Sequence, residues 1–137
     1  MINPDIIVEY YNEYLNEENV DKIIEKADIV LDGLDNYKSR IMLEKACAKA
    51  NLYMINGAIG KTNVQVCTVS PGAGILEKMF TGQDENSINR SCVSFVPAYC
   101  AAIQVSEALK ILIGKKPVLE NKILYENLDT LDRQIIS

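Results

Sequence analysis

From Ile6 to Tyr14 apolar and polar positions alternate, with Ile6, Val8, Tyr10 and Tyr14 on one side and Glu9 and Glu13 on the other. A period of two predicts a half-buried strand. Asn19 is placed to cap a short helix whose apolar members are Val20, Ile23, Ile24 and Ala27. Asp28-Ile29-Val30-Leu31-Asp32 does not alternate; a run of β-branched and aliphatic residues of this kind suits a strand buried on both faces of a parallel sheet. After a loop from Gly33 to Tyr37, the segment Lys38 to Ala50 sets Met42, Leu43, Ala46, Cys47 and Ala50 on one stripe. Ser39, Arg40, Glu44 and Lys49 fall elsewhere, the pattern of an amphipathic helix lying on a sheet. Leu52 to Asn56 is the next strand. Strand, helix and strand with short connections form a right-handed βαβ unit, so the fold class is α/β.

Beyond Gly57 the rhythm changes. Gly60 and Lys61 turn the chain into Thr62 to Val69, where Val64 and Val66 alternate with Asn63 and Gln65, so antiparallel strands are expected to follow the parallel ones. Pro71 to Ser91 is the longest stretch without a pattern and is expected to be an irregular, functional loop. Val96 to Ile113 is the strongest helix, with Pro97 in its first turn, Gly114 at its end and Pro117 beyond. Its polar residues form a narrow stripe of Gln104, Glu107 and Lys110; the rest is apolar, so it is expected to lie buried centrally against the sheet. Lys122 to Glu126 and Arg133 to Ile136 are expected to pair as a hairpin about Asp129.

A chain of 137 residues, 48% apolar and 24% charged, can bury one core, and residues 1–137 are read as a single domain. The net charge of -5 argues against a phosphate-tracking surface and therefore against nucleic acid as a partner. No apolar run approaches the roughly twenty residues of a membrane-spanning helix. The start has neither a basic flank nor a long apolar stretch, so a cytoplasmic protein without membrane attachment is expected. There is no histidine, which removes the commonest general base, the Ser-His and Cys-His pairs and histidine metal ligation. Cys47, Cys67, Cys92 and Cys100 contain no C-x-x-C pair, so no zinc site is expected, and free thiols are expected rather than disulfides. Glu9, Glu13, Glu17 and Glu18 make an acidic start that reads most simply as a solvated face.

Two positions invite chemistry. Asp35 follows the end of a buried parallel strand, where open α/β sheets place their ligand crevice, and a carboxylate there can hold magnesium against phosphates; Asp32 neighbours it. By position alone, Asp35 or Asn36 serves equally well as the cap of the following helix. Cys92 ends the long loop just before the apolar helix, as a reactive thiol or an ordinary one.

The stretch Asp32-Gly33-Leu34-Asp35-Asn36-Tyr37-Lys38-Ser39-Arg40 resembles the strand-end motif D-x-x-D-N, followed closely by arginine, of the ThiF, MoeB and HesA family of adenylating enzymes. Ile2-Asn3-Pro4-Asp5 resembles the family's upstream Asn-Pro, Asn56-Gly57-Ala58-Ile59-Gly60 its small-residue turn, and Ala101 to Lys110 its late helix with Gln and Glu before an apolar-Lys pair. These pieces run through nearly the whole chain in the family's order. The resemblance implies a partial Rossmann-like sheet with helices on both faces, parallel strands followed by antiparallel ones. It also implies ATP with magnesium as cofactor, with Asp35 as the metal and phosphate carboxylate and Asn36 and Arg40 shaping the same pocket. Cys92 would be the catalytic thiol of sulfur transfer, although the family's Gly-rich continuation is replaced here by Val93-Ser94-Phe95-Val96-Pro97-Ala98.

Relatives activate the C-terminal carboxylate of a ubiquitin-like sulfur-carrier protein, of thiamin, molybdopterin or another pathway. A carboxylate oxygen bonds to the α-phosphorus of ATP and pyrophosphate leaves, giving an acyl-adenylate. The family's glycine-rich loop lies before the stretch seen here, and the 137 residues contain no G-x-G-x-x-G. The expectation is a fragment, inactive or nearly so alone, whose first parallel strand has an open edge. That edge would be filled by Ile6 to Tyr14 folding back, by a second copy in a homodimer, or by a partner chain. A non-catalytic remnant acting as a dimerisation or carrier-binding module is the competing reading. The back half of a nicotinamide-dependent dehydrogenase fits the βαβ pattern and explains neither the Asp35-Asn36 motif nor the late helix.

Overall fold

The computed structural model describes residues 3–82 and 91–137. Ile2 of the Asn-Pro stretch, and residues 83–90 of the segment read as a loop, lie outside the described residues. In chain order the elements are α1 (Val20–Ile24), β1 (Ile29–Asp32), α2 (Tyr37–Lys49), β2 (Tyr53–Gly60), β3 (Asn63–Val69), α3 (Ile75–Phe80), α4 (Phe95–Leu112), β4 (Ile123–Asn127) and β5 (Asp132–Ile136). One sheet runs β1-β2-β3-β4-β5 in space. β1 and β2 pair in parallel, with Asp32 at the carboxyl end of β1 opposite Asn56 midway along β2, and every later pair is antiparallel. The α/β class and the order of parallel then antiparallel strands are as the sequence predicts.

Helices cover both faces. On one, α1, α2 and α3 bury Val20, Ile24, Leu43, Cys47, Leu76 and Phe80 against Met54, Cys67 and Val69. On the other, α4 packs Val96, Cys100 and Ala108 over Ile55, Val64, Val66 and Leu124. β2 runs straight through Gly57 to Gly60, and the turn into β3 is made at Lys61 with φ +52, a left-handed conformation a non-glycine residue adopts at some strain.

Three expectations are corrected. Ile6 to Tyr14 forms no strand and is exposed, Tyr14 at 95%, because alternation creates a strand only where a ladder partner exists. It does not fold back onto β1, whose ladder partner among the described residues is β2. Pro71 to Ser91 is not wholly irregular: α3 forms within it because the buried Glu44 carboxylate of α2 accepts from Leu76 N at 2.9 Å and Glu77 N at 3.0 Å, supplying the N-terminal cap that Gly74 lacks.

The third correction concerns α4. Its polar stripe faces the sheet rather than solvent: Gln104 and Glu107 are buried among Val96, Cys100 and Ala108, while Val105, Leu109 and Leu112, with Ile113 just beyond, are more than half exposed. Glu107 Oε2 accepts from Leu119 N at 2.8 Å and Thr68 Oγ1 at 3.2 Å, and Lys110 Nζ donates to its Oε1. By length and composition α4 could cross a membrane. These buried polar contacts hold it to the strands instead.

Glu107→Ala is therefore expected to cost about 3 kcal/mol, since it strands a buried amide and hydroxyl. Leu109→Ser is expected to change stability by less than about 0.5 kcal/mol. Urea unfolding of both variants checks the pair, and a large loss in Leu109→Ser would mean the outer face of α4 is covered.

Candidate active site

β1 ends at Asp32 beside Asn56, and there the two strands part: the chain after β1 turns away into α2, while β2 runs on to Gly60 and into the hairpin with β3. Open sheets bind ligands at such a divergence. A crevice of about 910 Å³ opens there, lined among others by Asp35, Arg40, Gly57, Lys61, Asn63 and Gln104.

Its base is the buried carboxylate of Asp32, 1% exposed. Asp32 Oδ1 accepts from Leu34 N at 2.8 Å, which folds the Gly33-Leu34 turn, and Oδ2 accepts from Asn56 Nδ2 at 2.5 Å. Arg40 Nε lies 3.9 Å from Oδ2. Burial outweighs the guanidinium and both hydrogen bonds and raises the Asp32 carboxyl above its ordinary value of 3.8.

Arg40 is 7% exposed and half committed: Nε donates to Leu34 O at 3.0 Å, as does Nη2. Nη1 is buried without a partner, and so is Asn63 Oδ1. Phe80 of α3, stacked on Tyr37 at 4.4 Å, lies beneath the guanidinium at 6.0 Å and closes that side of the crevice. A buried arginine with an unused N–H attracts an anion, because the desolvated donor gains most from a charged acceptor.

Asp35 is exposed, lines the crevice and accepts from Asn36 Nδ2 at 3.3 Å. Asn36 caps α2, its Oδ1 accepting from Ser39 N at 2.8 Å, and stands outside the lining. Asp35 and Arg40 are thus brought together at one crevice, while Asn36 acts through the helix start. Cys92 is exposed and is held beside the hairpin turn, where Lys61 N donates to Ser91 O at 2.8 Å and Lys61 bridges to Cys92. It neighbours a lining residue without lining the crevice itself. Cys47, Cys67 and Cys100 are buried, and burial pushes their thiols up to about 12, 12 and 11.

Sequence reasoning did not single out Lys61, Asn63 and Gln104 as crevice residues. For Gln104 a signal exists: an amide isolated on an apolar helix belongs where the helix meets backbone carbonyls. For the others none exists, since only the β2–β3 pairing carries them to the crevice.

No group of three or more His, Cys, Asp or Glu side chains among the described residues could cage a metal. Magnesium on phosphates needs only one or two carboxylates, so Asp35 together with the free Arg40 N–H fits a magnesium-bound nucleotide.

The sequence pattern of the ThiF family matches residues 1–136. A probable molybdopterin-synthase adenylyltransferase of Pyropia yezoensis is 32% identical over 133 residues, covering 92% of this chain and 35% of the relative. A SAMP-activating enzyme E1 of Haloferax volcanii is 26% identical over 129 residues, covering 90% and 48%. The chain thus spans about a third to a half of the length of these relatives. Among solved structures, E. coli MccB with ATP superposes with a TM-score of 0.64 at 18% identity, covering 88% of this chain and 40% of that one, a likeness of fold.

Two outcomes follow from the burial pattern. Because the raised Asp32 carboxyl binds its proton more tightly folded than unfolded, its contribution to stability falls as pH rises from near 3.8 through the folded value. Asp32→Asn is expected to remove that slope, measured by urea midpoints between about pH 4 and 7. Iodoacetamide under native conditions is expected to label Cys92 and spare the other three cysteines, read by peptide mass spectrometry.

Proposed function

The chain belongs to the ThiF family, and from that premise we propose that it supplies one wall of an adenylation site. The reaction is ATP-dependent activation of the C-terminal carboxylate of a ubiquitin-like sulfur-carrier protein, serving sulfur transfer of the thiamin or molybdopterin type. The observation that carries this reading is the buried, unpartnered Nη1 of Arg40 in the same crevice as the exposed Asp35 carboxylate.

Arg40 binds and orients an anionic oxygen from below, and Phe80 and Tyr37 keep water from its back. Asp35 holds the cation side of the nucleotide at the rim. Magnesium, when bound, neutralises phosphate charge as the carboxylate approaches. Asn63 Oδ1, buried and unpaired, suits a peptide N–H of the carrier's tail. Cys92, exposed beside Lys61, is the group we assign to sulfur transfer, its thiolate being free to reach an activated carbonyl or a persulfide.

These residues alone lack a phosphate-binding loop, and each missing contact to a developing charge costs on the order of a few kcal/mol, so the 137-residue chain is expected to turn over ATP very slowly. We propose that a second copy or a partner chain adds a strand beside β1, whose outer edge has no ladder partner among the described residues. The exposed apolar face of α4 favours a second reading, an interaction module that binds the carrier without nucleotide.

Titration of the chain with ATP–magnesium, followed by amide NMR, separates the two. The adenylation reading expects shifts at Asp35 and Arg40 and an affinity lowered about tenfold or more in Asp35→Ala. Carrier binding with no nucleotide response would replace it by the interaction module.

A further inference from the structure

The Gln104 side chain enters the fork between the parallel strands. Its Nε2 donates to Asp32 O and to Ile55 O, both at 2.9 Å, so one amide group joins the carboxyl end of β1 to the neighbouring stretch of β2. Two carbonyl acceptors demand two N–H donors on a single atom, which fixes the amide orientation and rules out glutamate or methionine as an equivalent. Gly57 makes the room. A Cβ there would stand 2.5–2.7 Å from Gln104 Cδ, Oε1 and Nε2, closer than any side chain tolerates.

We propose that Gln104 is a positioning residue for the crevice: its double hydrogen bond sets the gap between the end of β1 and β2 at Ile55, and with it the Gly33-Leu34-Asp35 turn that presents Asp35. The chain of contact is short. Gln104 holds the Asp32 carbonyl, the Asp32 carboxylate holds Leu34 N, Leu34 O holds Arg40, and Asp35 follows directly. The Gln104 amide thus sets both the rim carboxylate and the buried guanidinium from a helix on the opposite face of the sheet from α2. Its consequence for substrate rests on the adenylation reading above. The positioning itself does not.

The test uses the whole chain. Gln104→Met keeps the length and removes both donors. Amide hydrogen exchange at Leu34 is expected to quicken about tenfold, with shifts at Gly33 and Asp35, while β3 and β4 amides keep their protection. A Gly57→Ala variant is expected to unfold at lower temperature because its methyl strikes Gln104. Adding Gln104→Ala is expected to recover part of the lost melting temperature, by returning space, and to leave the Leu34 and Asp35 amides displaced, because no donor returns to Asp32 O and Ile55 O. That split separates positioning from simple packing. Unchanged Leu34 and Asp35 amides in Gln104→Met, or their return to wild-type positions in the double variant, would overturn the proposal. The amide readout needs no nucleotide, so it decides on Gln104 whatever the nucleotide titration decides on the activity.

Discussion

Where one parallel strand stops and its neighbour runs on, the carbonyls at the point of parting need donors from outside the ladder. Buried and unpaired, each would cost free energy comparable to a lost hydrogen bond. In this chain α4 meets that demand by turning its polar stripe toward the sheet, with Gln104 serving Asp32 and Ile55 and Glu107 serving Thr68 and Leu119. Much else follows from this orientation. It puts glycine at position 57, seats α4 over β2 and β3, and leaves Asp32 as the buried base of a crevice whose rim is Asp35 and whose depth is Arg40.

The same orientation turns Val105, Leu109, Leu112 and Ile113 outward. Leu31 of β1 and the exposed residues Ile6, Val8, Tyr10 and Tyr14 add to the uncovered apolar surface. Among the described residues the chain thus carries an outer β1 edge with no ladder partner and an exposed apolar face on α4. The opposite layer is complete. There Glu44 caps α3, and α3 in turn carries Phe80 against Tyr37 and Arg40.

Much of this was legible from one dimension. The non-alternating run Ile29 to Leu31, the stripe of Leu43, Ala46 and Cys47, and the Pro97 and Gly114 boundaries each depend on residues near one another in the chain, so period and capping chemistry suffice to read them. Asp35 after a buried strand end was readable for the same reason. Ile6 to Tyr14 misled because alternation reports what a segment could pair with, not whether a partner is present. α3 stayed hidden because its cap comes from Glu44, thirty-odd residues away.

By itself, then, the order of residues determined the class of fold, the βαβ unit, the later antiparallel strands and the place of the rim carboxylate, since these rest on local periodicity and on the end of one strand. Tertiary structure alone decided which face of α4 looks inward, that Arg40 keeps one buried N–H unused, and that Asn63 and Lys61 join the crevice. Those outcomes depend on where the carbonyls of two separate strands fall relative to a helix more than forty residues downstream, and no local pattern records that distance.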